Sequence, residues 1–135
     1  MKVTARTANH CPVEVTLSVI GGKWKPLILW HLSEGGVRRF LELQRTIPGI
    51  TRKMLTQHLR ELERDGIVSR QIFDEMPLRV EYSLSEYGQT LRPLMRVLCD
   101  WGSKHEDYVA KNGERIAPQR TRDPSPPKRV AIAIG

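Results

Sequence analysis

Between Thr51 and Asp65 the chain reads TRKMLTQHLRELERD and is closed by Gly66. Leu55, Leu59 and Leu62 recur at helical spacing, so one narrow stripe must face a core while the opposite side stays in water. A helix this short is marginal alone and must be laid onto other elements. The outer side carries Lys53, Thr56, Gln57, Arg60 and Arg64. A solvated face needs polar residues of some kind, but their order here is unusual. Arg52, Lys53, Thr56 and Gln57 fill the first turns without an acid, and Glu61, Glu63 and Asp65 follow. A helix built only for stability would place acids first, because its N-terminal end is the positive end of the macrodipole. A cationic N-terminal half suits phosphate, and Arg, Lys and Gln are the side chains that read guanine and adenine edges in a major groove.

The segments around it are short and sharply punctuated. Pro12 suits the first turn of a helix running to about Ile20, which Gly21 and Gly22 end. A second helix, about Lys25 to Ser33, has Pro26 early, turns Trp24, Leu27, Ile28 and His31 or Leu32 inward, and stops at Gly35 and Gly36. Val37 and Arg38 are extended and lead to a third helix, Phe40 to about Thr46, with Phe40, Leu43 and Ile47 as its buried side. After the tight turn PGI, the Thr51 hydroxyl is placed to cap the fourth helix. Two short helices joined through such a turn, the second with a basic face, form a helix-turn-helix with the second as reader.

IVSRQIFDE and RVEYSLS then alternate in character around MPL, which predicts a hairpin from about Ile67 to Leu84 with its tip near Met76 to Leu78. A hairpin directly after a reading helix is a wing, and Arg79 is placed to reach a minor groove or a phosphate, unless it is simply solvated. Ser85 is expected to cap a long last helix, about Glu86 to Lys111, kinked or frayed at Pro93. Leu91, Leu94, Met95 and Leu98 make one apolar stripe there, and Val97, Trp101 and Tyr108 a second. One side can rest on its own domain and the other on a second copy, with the first helix contributing, although both could bury within one chain. The fold class is therefore mainly α with a small β-hairpin (α+β), a winged helix-turn-helix whose first and final helices form a dimer interface. The dimer-interface candidates are Leu94, Leu98, Trp101 and Tyr108.

With 135 residues the chain has material for one small core. Its net charge of +7 favours an acidic partner, double-stranded DNA first. Much of that charge is terminal: Lys2 and Arg6 lie in the first twelve residues, and five bases against two acids follow Asn112, leaving only +2 on the body. The expected organisation is a flexible arm over 1–10, the DNA-binding and dimerisation domain over 11–112, and a basic, proline-rich, disordered tail over 113–135. The closing VAIAIG is out of keeping with such a tail. No apolar run is long enough to span a bilayer and no signal peptide is visible, which points to the cytoplasm and to no membrane partner.

NHCPVEVTLSVIGGKWKPLILWHL, RRFLELQRTIPGITRKMLTQHLRELERDGIVSR and PLRVEYSLSEYGQTLRPLM, in that order, resemble the HxlR-type (MarR-like) winged helix-turn-helix transcriptional regulators of bacteria. The resemblance runs from about Cys11 to Trp101. It implies a homodimeric DNA-binding regulator with Thr51, Arg52, Lys53, Thr56, Gln57 and Arg60 on the reading helix and Arg79 on the wing. The family's wing commonly reads Pro-Pro-Arg, whereas here it reads Pro77, Leu78, Arg79, a less rigid tip. In some similar proteins a cysteine at the position of Cys11 senses oxidants or electrophiles. A thiol at a helix N-terminus beside His10 suits that role, and simple packing of a small apolar residue is the alternative.

Cys99 is expected in the core. The two cysteines form no C-x-x-C, and His10, His31, His58 and His105 show no ligand spacing, so neither a metal nor a cofactor is expected. Trp24, Trp30 and Trp101 read as core or interface anchors, with an effector pocket between the first, second and final helices as a further option. IGGKWK lacks the spacing and the hydroxyl of a phosphate loop, and no nucleophile and base can be assembled, so the chain does not read as an enzyme. The rival class is a dimeric winged-helix module that binds another protein and has no specific DNA readout.

Overall fold

In the computed structural model, which describes residues 11–113, several helix ends fall at prolines or glycines. Pro12 opens α1 (Pro12–Ile20), where its missing N–H would have had no partner, and the Gly21 N–H closes it on the Leu17 carbonyl at 2.8 Å. Helix α2 (Trp24–Gly35) is longer than expected by one residue at its start and two at its end, with Gly36 at φ 78° beyond it. Its buried side is Ile28, Leu29 and Leu32, while Leu27, expected inward, is exposed and His31 is half-buried. The inward side of α2 is thus turned by about one residue. Helices α3 (Phe40–Thr46) and α4 (Arg52–Arg64) follow, and Leu43, Leu55, Leu59 and Leu62 from them are almost completely buried.

Strands β2 (Val68–Phe73) and β3 (Arg79–Leu84) form the expected antiparallel hairpin, in register from Val68 opposite Leu84 to Phe73 opposite Arg79. The extended piece before α3 is a third strand, β1 (Arg38–Arg39), paired with Tyr82 and Glu81, so the sheet order is β1-β3-β2. A two-residue strand has no periodicity to display, and only its pairing defines it.

The start of the last helix differs from expectation. Ser85 does not cap it: its hydroxyl accepts from the Gly88 N–H at 2.8 Å and donates to the Gly66 carbonyl at 2.7 Å, holding a 3₁₀ turn (Gly88–Leu91) against the end of α4. Gly88 is required there, since a Cβ would lie 2.1 Å from the Ile67 carbonyl oxygen. Helix α5 (Arg92–Asn112) begins after that turn, which puts Pro93 in its first turn, where it neither kinks nor breaks the helix.

The described residues fall into two compact units dividing after Arg96. The first holds the core, a cluster running from Ile20 to Met95 with Trp24, Trp30, Phe40 and Leu94 packed on it. The second contains the remainder of α5, where Val97, Leu98, Trp101 and Tyr108 are exposed and Trp101, His105 and Tyr108 stack along the helix. No helix among the described residues is long and apolar enough to cross a membrane. The expected arm over 1–10 and, beyond Gly113, the expected tail lie outside the described residues.

Candidate nucleic-acid interface

The turn that aims α4 is held from both sides. Ile47 and Ile50 are buried, and the Ile50 N–H donates to the Ile47 carbonyl at 3.3 Å. Between them Gly49 takes φ 88°, a left-handed conformation that side-chain-bearing residues rarely adopt. Thr51 then caps α4 as expected, its hydroxyl accepting the Met54 N–H at 3.1 Å. With Leu55, Leu59 and Leu62 inward, Arg52, Lys53, Gln57, Arg60 and Arg64 stand exposed, with Thr56 half-buried among them. These side chains and Glu61 line one shallow hollow along the helix.

The acids of α4 do not neutralise this face. Glu61 accepts from Lys25 of α2 at 2.8 Å and from the Gln57 amide at 3.2 Å. The Lys25 hydrogen bond is the larger cause, and together they hold the Glu61 carboxyl down to about 2. Glu63 pairs with Arg70 of β2 at 3.3 Å. Lys53, Arg60 and Arg64 form no ion pair among the described residues, and Arg52 rests its guanidinium 5.0 Å over the Phe40 ring. The N-terminal half of α4 is therefore cationic, and the carboxylates of its C-terminal half, Glu61 and Glu63, are held by Lys25 and Arg70.

Arg79 stands at the start of β3 but is not a free wing cation. Its guanidinium lies 3.9 Å over Phe73, with Nη2 2.8 Å from Glu75 and Nη1 2.6 Å from Glu81. The sequence reading missed this clamp, although an arginine between acids four residues before it and two after it was a visible sign. The wing tip beyond it, residues 74–78, exposes Met76 and Leu78.

The remaining candidates are scattered. Leu94 packs on the core of its own chain, whereas Leu98, Trp101 and Tyr108 are exposed. Cys11 is exposed at the N-cap of α1, where its carbonyl accepts the Glu14 N–H at 2.8 Å. Cys99, expected in the core, is exposed, because α5 has no buried side chain beyond Met95. A cleft of about 170 Å³ lies between α1, the Asp65–Ile67 turn and the 3₁₀ turn, below the usual size of a drug-like ligand site.

Known proteins are similar to this chain in sequence and in fold. The model of the HxlR-like helix-turn-helix family matches residues 19–110. The HTH-type transcriptional regulator YtcD of Bacillus subtilis (strain 168) is 55% identical over 97 residues, covering 72% of this chain and 76% of the relative. YdeP of the same organism, also described as an HTH-type transcriptional regulator, is 50% identical over 101 residues, covering 75% and 78%. Among solved structures, the redox regulator HypR in its reduced form superposes with a TM-score of 0.70 at 48% identity, over 75% of this chain and 99% of that one. On the family match and on relatives of this identity, the chain belongs to the HxlR-like helix-turn-helix family of transcriptional regulators.

Proposed function

We propose that the chain is a cytoplasmic homodimer that binds an inverted repeat in duplex DNA, reading bases with α4 in the major groove. The observation that carries this reading is the exposed, cationic N-terminal half of α4, whose neighbouring carboxylates are engaged by Lys25 and Arg70. Thirteen helical residues extend about 20 Å, enough to cross a groove about 12 Å wide. In this reading Arg52, Lys53 and Arg60 meet phosphates or guanine edges, Thr51 and Thr56 hydrogen-bond the backbone at the helix start, and Gln57 meets a base. Arg79 contributes from the wing by exchanging one of its carboxylates for a phosphate.

Dimerisation is supported by Leu98, Trp101 and Tyr108 on α5 and by Val13 and Leu17 on α1, large apolar side chains that one chain leaves in water. Two copies would set their α4 helices about one turn of DNA apart, which is why the site is an inverted repeat. The exposed Cys11 thiol, with the likeness to a redox regulator, supports a second reading in which a peroxide oxidises Cys11 to a sulfenic acid and is itself reduced, or a small disulfide exchanges with Cys11 to leave a mixed disulfide and release one thiol, and either change alters DNA binding. In this reading a small-molecule effector is a further partner of the regulator.

The test is selection of genomic fragments by the full chain, followed by titration of the selected duplex across salt. The expected result is an inverted repeat, a steep fall of affinity with salt, and in Lys53→Ala a salt slope shallower by about 0.9 that is uniform across sequences. Retention without sequence preference or salt dependence would favour the protein-interaction module. Repeating the titration after mild oxidation, with Cys11→Ser as control, tests the thiol.

A further inference from the structure

Gln57 is the one amide on the outer face of α4, and it is already engaged. Its Nε2 donates to Glu61 Oε2 at 3.2 Å, one helical turn on. Glu61 is anchored in turn by Lys25 Nζ, 2.8 Å from its other oxygen, and Lys25 comes from α2 with its side chain only 13% exposed. The carboxylate is therefore tied to the scaffold and is more than half of a surface pair on one helix.

The chemistry of the pair fixes an orientation. An ionised carboxylate only accepts, so the NH₂ end of the amide must face Glu61, and the half-turn that would bring the carbonyl there is repelled. One of the two Nε2 hydrogens is used. The carbonyl oxygen and the second N–H are left, an acceptor beside a donor, which complements the N6–H and N7 edge of adenine. A free glutamine can present its amide either way round and must be ordered on contact; this one is ordered before DNA arrives.

We infer that Glu61 is a positioning residue for base reading: by holding the Gln57 amide in one orientation it sets a preference for A·T at the base pair beneath Gln57. The inference rests on the proposal that α4 reads DNA. The competing account is an ordinary exposed pair four residues apart, which would add a little helix stability and leave base preference alone.

The experiment is selection from a randomised duplex library by the full chain and by Gln57→Ala, Glu61→Gln and the double variant, with the preference at each base position compared. Glu61→Gln keeps volume and helix propensity but can meet either end of the Gln57 amide. Gln57→Ala is expected to flatten an A·T preference at one position of each half-site. Glu61→Gln should weaken that same preference about 2- to 10-fold, leave the other positions as they were, and add nothing when Gln57 is already alanine. Glu61→Ala, which leaves no partner for the amide, should give the same pattern. Wild-type preference in both Glu61 variants, beside a flattened Gln57→Ala profile, would overturn the inference and leave the reading helix standing. An equal effect of Glu61→Gln with and without Gln57 would also overturn it, placing the effect elsewhere. A Gln57→Ala profile identical to wild type at every position would remove the glutamine reading and the inference with it.

Discussion

Replacing Gly49 tests whether the turn that aims the reading helix is held by backbone conformation or by side-chain packing. Its φ of 88° lies where an L-residue brings Cβ against its own backbone, at a cost of about 1–2 kcal/mol. Alanine also removes freedom from the unfolded chain, which returns about 0.4–1 kcal/mol. A built Cβ would sit 3.6 Å from the Trp24 ring, an ordinary contact, so no clash is added. Gly49→Ala should therefore lose about 1 kcal/mol. Gly66, at φ 81° with nothing within 4 Å of its Cβ position, supplies the control and should lose the same amount. Gly49→Asn should lose less, because asparagine tolerates the left-handed region. Urea unfolding followed by tryptophan fluorescence, at one fixed protein concentration, measures all three as shifts of midpoint with unchanged slope. Two results would refute the reasoning: Gly49→Ala as stable as wild type, or a loss above about 3 kcal/mol there while Gly66→Ala loses about 1.

Three further outcomes follow from the side chains around α4 and the wing. Leu59 is almost completely buried, so Leu59→Ala should cost about 2–5 kcal/mol in the same unfolding assay, and a loss below about 1 would mean that α4 is not seated as described. Glu61 titrates near 2 in the folded chain against an ordinary 4.5, so its contribution is complete above about pH 4.5 and is lost as pH falls towards 2. For a side chain 31% exposed that contribution is discounted to about 1 kcal/mol, and Lys25→Met should flatten the stability curve in that window and nowhere else. Glu75→Gln removes one carboxylate that competes with phosphate for Arg79 and should raise affinity for all duplexes alike, whereas unchanged affinity would show that Arg79 stays on Phe73 and Glu81.

Most element boundaries were legible because they are punctuated. Pro12, Gly21, the PGI turn, Thr51 and Gly66 each stop or start a helix by a local backbone requirement, and α1, α3 and α4 fall where those residues place them. What escaped depended on partners distant in the chain. Strand β1 exists through its pairing with Tyr82 and Glu81. The displacement of the α5 start from Glu86 to Arg92 follows from Ser85 reaching back to Gly66, and the exposure of Leu27 follows from how α2 is turned on the core.

The candidate site divides along the same line. Residue types named the outer face of α4 correctly, and Arg52, Lys53, Gln57 and Arg60 are all exposed on it. Net charge could not have shown that the face is cationic, since the body of the chain carries only +2. The sign of the face is set by pairing: Glu61 goes to Lys25 and Glu63 to Arg70. In both cases a carboxylate of α4 takes a cation from outside the helix, and among the described residues Lys53 and Arg60 form no ion pair. A nearly balanced body can thus present a concentrated positive surface, because its acids and bases are sorted in space. The same sorting makes the wing arginine the poorest transfer from sequence, since two carboxylates and an aromatic ring already hold the charge that position alone would have assigned to DNA.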